Sequence, residues 1–171
     1  PLRSQVGVWA LGRLLLVERA PLASVELVIQ TLLDLIEREQ GELRSQAIQA
    51  AVGTMHVLPA FDPILQRLAE AGDQDVLCAA ATALFLKAKE LGERGITQRW
   101  LELMTSLKPE FKGAIRNWDH AMSRLLSDSA NAPMVASTLR MWVAKHGRRV
   151  PIDSETASLF DDSFRKLFPI E

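Results

Sequence analysis

Apolar residues return every three or four positions along most of this chain, the spacing of one buried helical face. In the first segment, 2–17, Val6, Trp9, Ala10, Leu14 and Val17 hold that spacing. Pro21 suits the first turn of a second helix, whose stripe is Val25, Val28 or Ile29, Leu32, Leu35 and Ile36. Gly41 ends it, as a left-handed cap requires. The third segment, 42–57, carries Leu43, Ala47, Ala50, Ala51 and Gly53, nearly all small. Pro59 and Pro63 bracket a turn, and Asp62 caps a short helix with Ile64, Leu65 and Leu68 inside and Gly72 as its stop. Asp73 caps the next, a single helix burying Val76, Leu77, Ala80, Ala83, Leu84 and Leu91, and Gly92 and Gly95 mark a turn after it. Thr97 begins a helix with Trp100, Leu103, Met104 and Leu107 inside; Pro109 opens one with Phe111, Ile115, Trp118, Met122 and Leu125. Asn131-Ala132-Pro133 is a start signal followed by Val135, Leu139, Trp142 and Val143, with Gly147 at the end. Pro151, Asp153 and Ser154 precede a last helix carrying Leu159, Phe160, Phe164 and Leu167. No segment alternates with period two for long enough to predict a strand. About nine helices on short turns place sequence neighbours antiparallel.

One stretch organises the rest. Leu43-Arg44-Ser45-Gln46-Ala47-Ile48-Gln49-Ala50-Ala51-Val52-Gly53 has an earlier copy, Leu2-Arg3-Ser4-Gln5-Val6-Gly7-Val8-Trp9-Ala10-Leu11-Gly12, at an offset of 41 residues with six of eleven positions identical. A fixed period near 40 residues is the signature of stacked helix pairs. Gly7 and Gly12 each cost a helix about 1 kcal/mol relative to Ala, which close approach of a neighbouring helix would explain.

The repeated stretch resembles the second helix of a HEAT repeat, Val-Arg-x-x-Ala-x-x-Ala-Ala-Leu-Gly. Leu43-Arg44, Ala47, Ala50-Ala51, Val52 and Gly53 match it; Leu2-Arg3, Ala10, Leu11 and Gly12 match with Val6 and Trp9 as departures. Asp73, Val76, Ala80, Ala83 and Leu84 look like a third copy, with Leu77 in place of the arginine and Leu86 in place of the glycine. The resemblance covers residues 1–92 and implies one all-α domain over 1–171, a right-handed α-solenoid of antiparallel pairs at 22–57, 60–91, 96–128 and 132–168, the later pairs degenerate and the last a C-terminal cap. It leaves 2–17 as a second helix without its first. The Val8, Leu11, Leu15 side is then expected to meet a preceding segment, a second chain or a crystal neighbour. Because Pro1 is not an initiator residue, the chain is expected to be a fragment of a longer one, which mass spectrometry of the native product would check.

Composition narrows the classes. Hydrophobic residues make up 48% of the 171, enough for a continuous core. A net charge of −1 and a pI near 6.4 argue against a surface that is basic throughout, as a general nucleic-acid or anionic-lipid trap would need. Cys78 stands alone, so no disulfide framework and no cysteine zinc cluster is expected. The expected setting is intracellular, cytoplasmic or nuclear, without membrane, metal or cofactor.

Two functional readings remain. In the first, the chain is a non-catalytic scaffold whose superhelix offers a protein partner, or the rest of its own longer chain, a surface carrying Arg44, Gln46, Gln49 and Lys87. For Arg44 and Arg3 the resemblance also implies structural contacts between repeats. In the second, the chain binds nucleic acid in the manner of HEAT-like DNA glycosylases. Trp118 or Trp100 would stack on a lesion and Asp119 would stabilise a cationic sugar, while Arg140, Lys145, Arg148 and Arg149 would clamp phosphates. The plainer alternatives are a buried Trp118 with Asp119 and His120 in water, and cations that answer a helix C-terminus. A third possibility is an accessory subunit of an enzyme encoded elsewhere. His56, His120 and His146 are too scattered to suggest a metal site, and Cys78 sits on an alanine-rich face as a small core residue does.

Overall fold

A computed structural model describes residues 2–16, 21–93, 95, 97–149 and 158–167. Among these the chain is all-helical. Its α-helices are α1 (Leu2–Leu14), α2 (Leu22–Arg38), α3 (Gly41–Thr54), α4 (Asp62–Glu70), α5 (Gln74–Leu86), α6 (Ala88–Glu93), α7 (Thr97–Met104), α8 (Lys112–Leu125), α9 (Ala132–His146) and α10 (Asp161–Leu167). None of the described helices is long and apolar enough to cross a membrane. The chain divides into two compact units, Pro1–Leu68 and Ala69–Glu171.

In the first unit α3 is the central element, with α1 and α2 both packed on it. Val28, Leu32 and Ile36 of α2 are buried as their spacing predicts. The buried set on α3 is Ala47, Ile48, Ala51, Val52 and Thr54, continued by Met55. Small residues on α3 let α1 come close: a Cβ on Gly12 would stand 2.9 Å from the Cβ of Ala50. Gly12 is therefore the close approach that its cost in helix propensity implied. Gly7 is not, since a Cβ there meets nothing within 4 Å.

This contact sets the rotation of α1, and it differs from the expected one. Val8 and Leu15 are buried and Leu11 is half-buried, so the face expected to await a missing neighbour is turned into the unit. Val6, Trp9 and Leu14, expected inside, are exposed, as is Ala10. Val17 lies outside the described residues. The physical reason is that α1 carries two apolar stripes, and only the one containing Gly12 fits against Ala50. Arg44 fixes the other side of α3, donating from Nε to the Ile36 carbonyl at the end of α2 (3.0 Å). An ion pair of Arg67 with Glu37 (3.1 Å) joins α4 to α2.

In the second unit α5 lies along α8, α8 against α10, and α7 against both α5 and α9. Gly72 turns the chain at φ 80°, and Asp73 caps α5 by accepting from the N–H groups of Asp75 (3.1 Å) and Val76 (3.2 Å). The helix expected to run on to Leu91 is divided in two at Lys87, which makes ten α-helices among the described residues where about nine were expected. Arg124 supplies a reason. It donates to the Phe85 carbonyl (2.8 Å), the acceptor that a continuous helix would reserve for the N–H four residues on, and it lies 4.4 Å from the Phe85 ring centroid. The core holds Trp100, Trp118 and Trp142, with Phe160 edge-on to Trp118 (5.4 Å) and to Trp142 (5.0 Å). Phe111 and Val143, expected in this core, are exposed. The side chain of Phe164 lies outside the described residues.

Candidate functional site

An open, mainly apolar groove of about 520 Å³ lies between α1 and α3 in the first unit. Its walls follow from the rotation of α1. With Gly12 seated against Ala50, the next positions round the helix, Val6, Trp9, Arg13 and Leu16, overhang α3. The facing wall is Gln46, Gln49, Ala50, Gly53 and Thr54. Trp9 is 66% exposed, whereas Trp100, Trp118 and Trp142 are at most 2% exposed. An indole left largely in water beside other exposed apolar side chains, Val6 and Leu16, forms the kind of contiguous patch that marks an interaction surface. The Arg13 guanidinium stands over the Trp9 ring at 5.9 Å from the centroid, and it meets no carboxylate among the described residues.

Sequence reasoning singled out Gln46 and Gln49, and both line the groove. It missed Trp9, Val6 and Leu16, because Trp9 and Val6 had been placed in the core; the position of Gly12, four residues after Val8, was the signal that could have turned the helix correctly. Arg44 is tied to the end of α2, a contact inside the 22–57 pair rather than the contact between repeats that the HEAT resemblance implied. Lys87 belongs to the second unit, at the C-terminus of α5, where it pairs with Glu90 at 3.5 Å.

The nucleic-acid candidates are arranged otherwise than that reading requires. Trp118 is fully buried. Asp119 is also buried, and both its carboxylate oxygens are occupied: Oδ1 accepts from the N–H of Ser163 (3.0 Å) and Oδ2 from the N–H of Asp162 (3.1 Å). Ser163 returns the contact by donating its hydroxyl to the Asp119 carbonyl (3.1 Å). Asp119 thus holds the first turn of α10 against α8, and both it and Trp118 are closed off from solvent. His120 pairs with Asp162 at 2.7 Å in the same joint. Of the basic run, Lys145 donates to Ser106 (2.8 Å) and buried His146 bonds the Thr105 carbonyl (3.0 Å), both at the end of α7. Arg140 and Arg148 are exposed, and the side chain of Arg149 lies outside the described residues.

Burial pushes the Asp119 carboxyl above its ordinary 3.8, with the hydrogen bonds from Ser163 and Asp162 pulling it back and the charge of Asp162 adding to the rise. The folded state therefore keeps this proton at pH values where the unfolded chain has lost it. The stability linked to this group is present near pH 3.8 and is lost as pH climbs through the raised value. Asp119→Asn removes the titration and one of the two acceptors. In thermal denaturation at a series of pH values, the margin of the wild type over this variant should widen on acidification and level off below 3.8. A margin that narrows on acidification would contradict the burial.

Burial, then the charge of Asp75, raise the Cys78 thiol to about 11, so it is protonated at neutral pH and a poor nucleophile. Among the described residues no group of three or more His, Cys, Asp or Glu side chains is placed to hold a metal ion. No protein-family model, curated protein or solved structure matches the chain.

Proposed function

We propose that this chain is a non-catalytic protein-interaction module of HEAT-like helix pairs, and that it receives a segment of a partner protein in the α1–α3 groove. The observation that carries the reading is the exposed Trp9 in an apolar groove of about 520 Å³, a volume in the range of sites that bury most of a ligand. Large aromatics of this kind dominate binding at protein interfaces.

Two features support stacked pairs as the scaffold. In each unit like packs on like: second helices α1 and α3, α5 and α8, α8 and α10, and first helices α7 and α9. In the second unit the hydrogen bonds joining successive pairs recur at separations of 32 to 44 residues, as in Gln74 with Ser106, Asn117 with Thr82, Arg124 with Phe85, Trp142 with Leu107 and Asp119 with Ser163. A repeat near 40 residues produces such a ladder. The nucleic-acid reading has no comparable support, since Trp118 and Asp119 are sealed in the core.

Photocross-linking tests the proposal. A photoreactive residue in place of Gln49 should form a defined adduct with a protein partner, and the same residue at Arg140 should not. Trp9→Ala in the Gln49 background should abolish the adduct while leaving helicity and melting temperature near wild type, because Trp9 contributes little buried area. Adducts to nucleic acid, or adducts indifferent to Trp9, would overturn it.

A further inference from the structure

The groove has a length, a polarity and a charge, and together they specify its occupant. On α1 the lining residues run from Val6 to Leu16, a rise of about 15 Å, or nearly three helical turns. A bound helix of that length presents an apolar face at i, i+3, i+4 and i+7. A bound extended strand would instead bring four or five residues' worth of unpaired backbone N–H and C=O groups, about 3.3 Å apiece along the groove. The walls have little to offer such groups. Gln46 donates to Glu42 (3.2 Å) and its Oε1, without a partner, is buried, while Thr54 donates to the carbonyls of its own helix, at Ala50 (3.1 Å) and Ala51 (3.0 Å). Gln49 and Arg13 are left to meet an occupant. A helix, whose backbone is satisfied internally, is the form these walls accept, and Gly53, where a Cβ would meet nothing within 4 Å, lets it sit close.

Charge sets the rest. Among the described residues Arg13 is the one charged side chain lining the groove, and there it faces Trp9 and has no acidic neighbour. We infer that the partner segment is an amphipathic helix whose apolar face covers Trp9, Val6 and Leu16 and whose flank carries a carboxylate for Arg13. This inference rests on the protein-interaction reading above and narrows it to one class of partner.

Synthetic helical peptides that share one leucine face and differ only in a flanking Glu, Gln or Lys test it. Trp9 is the reporter: with the other three tryptophans buried, iodide quenches Trp9 selectively, and a peptide seated in the groove shields it. The Glu peptide should bind about three- to tenfold tighter than the Lys peptide, a preference that shrinks as ionic strength rises. Arg13→Glu should reverse the order and Arg13→Gln should erase it, both with unchanged circular dichroism. Equal affinity for Glu and Lys peptides, with Trp9 still shielded, would overturn the charge selection and leave the interaction reading standing. If no peptide shields Trp9 while the Gln49 cross-link still forms, the helical occupant is wrong. Shielding that grows with protein concentration alone would make the occupant a second copy of this chain, and the inference fails.

Discussion

Trp118→Ala should destabilise the protein by about 3–5 kcal/mol, the range for emptying a fully buried large aromatic site. Trp118 is sealed from solvent and meets Phe160 edge-on, so truncation leaves a cavity and strips one side from the aromatic cluster that Trp142 completes. The indole N–H of Trp118 has no hydrogen-bond partner. Trp118→Phe therefore loses volume but also relieves an unpaired donor, and its cost should be well below that of alanine, about 1–2 kcal/mol. Chemical denaturation of the three proteins checks the order. Groove binding, measured at concentrations and temperatures where Trp118→Ala is still folded, should be unaffected. A near-wild-type Trp118→Ala with impaired nucleic-acid binding would instead restore the stacking role.

Gly12→Val should cost about 1–3 kcal/mol, the usual range for overpacking, even though valine is the better helix former. The new Cβ would meet the Ala50 Cβ at 2.9 Å and the Ala50 backbone at 3.5 Å. Neither is the end of a flexible side chain, so the helices themselves must separate. Gly7→Ala is the matched control. Its Cβ enters open space in the same helix, and it should stabilise by about 0.5–1 kcal/mol. Opposite signs at two glycines five residues apart would locate the α1–α3 contact without a structure; equal signs would remove it.

These two residues also mark how far the chain could be read unaided. Trp118 lies in a stripe with Ile115 and Met122, and one apolar stripe per helix leaves no choice of buried face. On α1 there were two, Val6–Trp9 and Val8–Leu11–Leu15, and periodicity scores them alike. What separates them is the partner surface: α3 is lined with alanine where it meets α1, and only the stripe with Gly12 can close on it. The duplication of Leu43–Gly53 marked two helical stretches, and it drew attention to Gln46 and Gln49. It could not reveal the groove, whose other wall depends on that rotation. Asp119 was opaque for a different reason. A carboxylate beside a tryptophan is the same dipeptide whether it faces a ligand or caps a helix, and the N–H groups it accepts from lie 43 and 44 residues away. Arg124 likewise breaks the α5–α6 continuity through a carbonyl 39 residues distant. Long-range hydrogen bonds leave no local pattern.

The central claim is that a partner protein covers Trp9. Once the protein cross-linked through position 49 is in hand, iodide quenching of tryptophan fluorescence at saturating partner tests it most directly, with a partner fragment free of tryptophan. The account predicts that the quenchable fraction seen in the free chain disappears in the complex, and that Trp9→Phe lacks that fraction from the start. A complex in which Trp9 remains as quenchable as in the free protein would contradict it.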